Sequence, residues 1–113
     1  MLVAIERIAI EHDIVIGTFG HAGDGNLHPT FVLDREQDET LSVARLEGAR
    51  TALYEVALAL GGTVTGEHGI GASRTGWLVR QRGEAAVGVM RSIKLALDPQ
   101  NLLNPGRVLA PIA

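Results

Sequence analysis

The stretch that most restricts this chain is residues 20–28, GHAGDGNLH, set between two β-branched segments. On its N-terminal side IVIGTF (residues 14–19) is short and rich in Ile, Val and Thr, the composition of a strand. On its C-terminal side LHPTFVL (residues 27–33) has the same character. Between them Gly23, Asp24, Gly25 and Asn26 all tolerate positive φ. The pattern predicts a hairpin, or two neighbouring strands joined by a tight loop. Pro29 cannot donate a ladder hydrogen bond, which places it at a sheet edge or a bulge. The turn needs its glycines, but it does not need the histidines that bracket it, His21 and His28, two of only four in the chain.

The flanking sequence is helical. Residues 2–12 fit a helix on Leu2, Ile5 and Ala9, although Ile8 and Ile10 alternate as a strand would; the helix is preferred. It has no cap before it, as though a further segment precedes it. Residues 38–60 place Leu46, Ala49, Leu53, Val56 and Leu60 on one face, with Glu47 and Glu55 off it. Gly61-Gly62 ends this helix. Residues 63–76 are extended and glycine-rich. Another helix is expected over 84–97, with Ala86, Val89, Ile93 and Leu97 inward and Asp98-Pro99 as its stop. NPGRVL (residues 104–109) reads as a turn and an extended tail. Strands are too few for a doubly wound sheet. The expectation is an α+β fold, a ferredoxin-like sandwich of antiparallel strands and helices with a C-terminal helical extension.

Composition removes several function classes. The chain has 113 residues, enough for one domain, and a net charge of -3. Lys94 is the only lysine and no basic run occurs, which argues against a nucleic-acid surface. There is no cysteine, so disulfides, thiolate metal sites and a cysteine nucleophile are excluded. No apolar run approaches the ~20 residues of a transmembrane helix. A signal peptide's basic start and cleavage site are also missing. A cytoplasmic location is expected, with any membrane association arising through a partner.

Two imidazoles across a hairpin can converge on one ion, because facing Cβ atoms lie ~4.5–5.5 Å apart. They can equally bond to loop backbone. A second glycine-rich segment, GEHGIG (residues 66–71), adds Glu67 and His68. His21, His28 and Glu67 would form a His₂Glu set with an open position, as in catalytic zinc sites. Alternatively Glu67 caps a helix N-terminus and His68 is a surface residue. Neither glycine segment is G-x-G-x-x-G or a Walker loop, and Ser42 and Ser73 lie in no G-x-S-x-G elbow.

Three motifs in order, GHAGDGNLHPTFVLD, LGGTVTGEHGIG and LDPQNLLNPGRVL, resemble the C-terminal part of the FAD-linked oxidases that act on D-2-hydroxy acids: glycolate, D-lactate and D-2-hydroxyglutarate. The similarity runs over residues 17–109, and its wording is closest to the glycolate type. It implies that His21, His28 and Glu67 hold a divalent metal, zinc first among them. It implies that His68 touches substrate and acts as base, a task suited to an imidazole with its reference pKa of ~6.5. It makes Thr30 a substrate-side residue, standing where the 2-hydroxyglutarate enzyme has asparagine. It turns Asn104 toward the flavin. The implied partners are a small 2-hydroxy acid, an FAD-binding domain or subunit, and an electron-acceptor subunit.

The family's flavin-binding N-terminal domain has no counterpart in these residues. The chain is therefore expected to be a fragment or one half of a split enzyme, inactive alone. The competing expectations are a standalone metal-dependent hydrolase and a non-catalytic interaction module.

Overall fold

The computed structural model describes residues 1–33 and 39–110. The fold is α+β: among the described residues, four α-helices accompany one two-stranded antiparallel sheet. In order they are α1 (Leu2–Glu11), β1 (Val15–His21), a 3₁₀ turn (Ala22–Asp24), β2 (Asn26–Val32), α2 (Glu39–Ala59), α3 (Thr75–Arg82) and α4 (Glu84–Leu97). No helix among them is long and apolar enough to cross a membrane. Two compact units divide the chain, Met1–Thr63 and the residues from Val64 onward.

In the first unit the hairpin forms as its sequence predicts. Gly25 closes the turn in the left-handed conformation, and its N–H donates to the Ala22 carbonyl at 3.3 Å. Register runs from Val15 opposite Val32 to His21 opposite Asn26, with no bulge. Pro29 sits opposite Thr18 in β2, which among the described residues pairs with β1 alone and so is an edge strand, where proline is tolerated. A lone hairpin is marginal in water. This one is held by a core: Ile5 and Ile8 of α1, with Ala49 and Leu53 of α2, are buried. Ile14, Ile16, Leu27 and Phe31 pack against them.

The helical reading of residues 2–12 holds, but the buried face is Ile5 and Ile8, and Leu2 is exposed. In α2 Ala49 and Leu53 are inward and Glu47 and Glu55 outward, as the periodicity predicts. Leu60, expected inward, is exposed because the helix has already ended at Ala59. The expected start at Asp38 lies outside the described residues. Gly61, at φ 76°, donates to Leu58 at 3.0 Å, and Gly62 donates to Ala57 at 2.8 Å. That paired 5→2 and 6→1 pattern is a Schellman cap.

The second unit departs further from expectation. Residues 75–82, expected to be partly glycine-rich loop, form α3, which packs on α4. Helix α4 spans the expected residues but turns differently. Val87 is its buried residue, whereas Val89, Ile93 and Leu97 are exposed and Ala86 is half-buried. The apolar residues of α4 do segregate to one side, Val89, Ile93 and Leu97 among them, yet the buried residue is Val87, which shares the other side with Arg91 and Lys94. Val64, Ile70 and Leu78 are the other buried apolar residues among the described residues of this unit.

Asp98 ends α4 and is itself buried, at 8% exposure. Its Oδ1 accepts the Leu102 N–H and its Oδ2 the Leu103 N–H, each at 2.9 Å. Lys94 pairs with the same carboxylate and donates to the Leu103 carbonyl at 2.6 Å. The Lys94 hydrogen bond and the two backbone N–H groups hold the Asp98 carboxyl at about 2, below its usual 3.8, against the opposing effect of burial. A depressed pKa in the folded state stabilises the fold above the unfolded value and loses that contribution as pH falls through the folded one. The Asp98 contribution is thus complete above 3.8 and disappears toward about 2. Acid titration of the chain followed by circular dichroism is expected to show a transition in this window that Asp98→Asn removes; an identical acid limb in the variant would refute the assignment.

Candidate metal and substrate site

Strand alternation sorts the hairpin into two faces. Ile16, Leu27 and Phe31 lie on the core side. The register then puts His21, Phe19 and Gly17 of β1 on the opposite face together with His28 and Thr30 of β2. Three of the residues singled out by sequence therefore share one surface of one hairpin.

The two histidines are neighbours, though not the directly facing pair that the turn suggested. His21 is opposite Asn26, and His28 is opposite Phe19. The imidazoles meet on the diagonal, with ring centroids 5.5 Å apart and planes at 82°. Phe19 lies flat on His28, centroids 5.7 Å apart and planes at 14°. Stacking uses the face of the imidazole and leaves its nitrogens, which lie in the ring plane, for other partners. Phe19 is 65% exposed and outside the core. Sequence reading treated it only as a strand residue; its position two before His21, on the same face, was the available signal.

Gly20 permits the close approach at the mouth of the hairpin. A Cβ on Gly20 would lie 2.1 Å from the Asn26 carbonyl oxygen, so backbone would have to move. Gly20→Ala is expected to destabilise the chain by ~1–3 kcal/mol, as overpacking does, and to spread the two imidazoles. Thermal unfolding measures the first effect; a melting point equal to wild type would show that the turn absorbs the methyl.

In the second unit Glu67 and His68 lie in the irregular segment between α2 and α3, and both side chains are exposed. His68 Nε2 is 3.6 Å from Glu67 Oε1. Ile70, buried at 9% exposure, anchors the segment, and Arg74 Nη1 donates to the Gly69 carbonyl at 3.2 Å. Glu67 does not cap a helix here, since α3 begins only at Thr75. Asn104 is exposed, at φ 48°, and its carbonyl accepts the Arg107 N–H at 3.1 Å. It lines an open, largely apolar cavity of about 530 Å³ between α4 and the tail.

Two imidazoles with a carboxylate form a donor set that suits zinc, whereas calcium and magnesium favour oxygen ligands throughout. The side chains brought together on the hairpin fit such an ion as its nitrogen donors.

The chain matches the family "FAD linked oxidases, C-terminal domain" over residues 1–108. It is 47% identical over 111 residues to the glycolate oxidase subunit GlcD of Bacillus subtilis (strain 168), covering 97% of this chain and 23% of that protein. It is 41% identical over 109 residues to a probable mitochondrial D-lactate dehydrogenase of Danio rerio, covering 96% of this chain and 22% of the relative. Against the D-lactate dehydrogenase of Archaeoglobus fulgidus the identity is 39% over 103 residues, 91% and 22% of the two chains. The chain thus spans less than a quarter of the length of these relatives. A match along nearly all its residues, and the α+β architecture beneath it, make this chain a member of the FAD-linked oxidase C-terminal domain family.

Proposed function

We propose that this chain is the substrate- and metal-site domain of an FAD-dependent D-2-hydroxy-acid oxidoreductase of glycolate or D-lactate type. The observation that carries the reading is the pair of imidazoles, His21 and His28, side by side on the hairpin face turned away from the core. In this reading Glu67 adds the carboxylate that completes a His₂Glu set. Thr30, on the same face as His28, contacts substrate. Asn104 faces the flavin. No segment of the chain has the makeup of a flavin pyrophosphate cradle, so the flavin is held by another domain or subunit, and the isolated chain is inactive. An electron-acceptor subunit and a cytoplasmic setting complete the proposal.

When bound, zinc supplies Lewis-acid polarisation of a substrate oxygen and the flavin supplies the electron sink. The chain's own residues do the rest. His21, His28 and Glu67 fix the ion, and Thr30 orients the acid beside it. His68 accepts the 2-hydroxyl proton on its imidazole, as a positioned general base. Its neighbour in sequence is the proposed carboxylate ligand, so base and carboxylate share one loop.

The direct test is the metal content of untagged protein reconstituted with zinc and exhaustively dialysed. About one equivalent, in a colourless preparation, is expected from one His₂Glu site. Less than about a tenth of an equivalent would reject a catalytic zinc set of this kind.

A further inference from the structure

We infer that the C-terminal segment is a brace for the Glu67–His68 loop, with Val108 and Asp98 as its positioning residues. The inference rests on the reading of Glu67 and His68 as ligand and base.

The loop needs a brace. Gly66, Gly69 and Gly71 flank its two chemical side chains, and Gly69 and Gly71 sit at φ 75° and 56°. Glycine backbone loses the most freedom on ordering. Glu67 and His68 are exposed, so their own burial does little to fix the segment. Besides Ile70 and the Arg74 contact, the loop is tied by a backbone hydrogen bond from Val108 N–H to the Gly71 carbonyl, at 2.7 Å.

The geometry at Val108 is costly. Its φ is 65°, and the Leu109 N–H returns to the Arg107 carbonyl at 2.7 Å. This is a γ-turn centred on a residue of positive φ, the rare and strained form. A β-branched side chain is poorly suited to that conformation. Strain of this kind persists only where the surroundings over-determine it. Here they do so from the other end of the segment. Asp98 gathers the Leu102 and Leu103 N–H groups, and Lys94 closes the ring through the Leu103 carbonyl. Asn101, Asn104 and Gly106 then wind the chain through further left-handed positions toward Val108. The run from Asp98 to Val108 thus connects α4 to the loop that carries the proposed chemistry.

The experiment uses the 113-residue chain with two readouts, ¹⁵N order parameters for residues 66–71 and zinc affinity by chelator competition. Val108→Pro deletes the N–H donor and forbids the positive φ. Order parameters at 66–71 are expected to fall from about 0.85 to below about 0.6, and zinc affinity by ~10–100-fold, the usual cost of losing an outer-shell support. Val108→Gly keeps the donor and admits the φ, so both readouts should stay at wild-type values. Asp98→Asn should follow Val108→Pro.

Unchanged order parameters in Val108→Pro would overturn the brace. So would Val108→Gly failing as badly as proline, because side-chain packing would then be the agent. If proline also loosens α4, a chain ending at Arg107 removes the same donor, and retained order at 66–71 in it would equally overturn the inference. A wild-type chain that binds no zinc defeats the metal reading alone; the order parameters then decide the brace.

Discussion

His21→Ala is expected to abolish stoichiometric zinc binding, with a loss exceeding the ~10–100-fold that outer-shell substitutions cost. Stability should barely move. His21 is exposed at the end of β1, and surface substitutions of this kind usually stay within ~0.5 kcal/mol. That contrast makes the experiment decisive, because a fold defect would move both quantities together. Chelator competition and thermal unfolding on the same sample give the answer. An affinity equal to wild type would mean that the two imidazoles share a surface without sharing an ion. Glu67→Ala should lose metal in the same way. If instead Glu67→Ala kept the metal and His68→Ala released it, ligand and base would have to exchange roles.

The second large effect belongs to His68 and needs a flavin. In a chimera that joins these residues to the upstream portion of a full-length relative, His68→Ala should slow flavin reduction by a D-2-hydroxy acid ~10²–10⁴-fold, the contribution of a positioned general base. Metal content should hold, since the three proposed ligands remain. Stopped-flow bleaching of the flavin absorbance measures the rate directly. A rate equal to wild type would make His68 a bystander and send the proton by another route.

How legible the molecule was in its sequence depends on whether local chemistry or packing decides each feature. The hairpin was legible because Gly23, Asp24, Gly25 and Asn26 leave the backbone few alternatives, and its register put His21, His28 and Thr30 on one face. The cap at Gly61-Gly62 was legible for the same local reason. The inward face of α4 was not: its apolar side is plain in the sequence, but Val89, Ile93 and Leu97 on that side are exposed and Val87 is buried, in a helix that packs on α3. That helix was itself missed: TGWLVRQR is short and does not segregate apolar from polar residues.

Within the site, the diagonal pairing of the histidines follows from where the 3₁₀ turn ends, a two-residue offset that spacing alone did not fix. Phe19 was overlooked because a strand residue has no visible partner until its register is known. Asp98 read only as a helix stop. Its acceptors serve N–H groups four and five residues further on, a contact that Asp-Pro does not announce.

The chain's single tryptophan and single tyrosine have an optical consequence. Trp77 lies on α3, half-buried, with the Arg80 guanidinium 4.4 Å above its ring. Tyr54 lies on α2, half-buried, in the other unit. Each compact unit therefore contains one intrinsic fluorophore of its own. Excitation at the red edge of the indole band selects Trp77 and reports the second unit alone, with Arg80 as a built-in neighbour whose departure shifts the emission. Second-derivative near-ultraviolet absorbance, which separates the phenol band from the indole band, reports Tyr54 and with it the first. Any substitution described above can be assigned to the unit it disturbs from two spectra of the unlabelled protein.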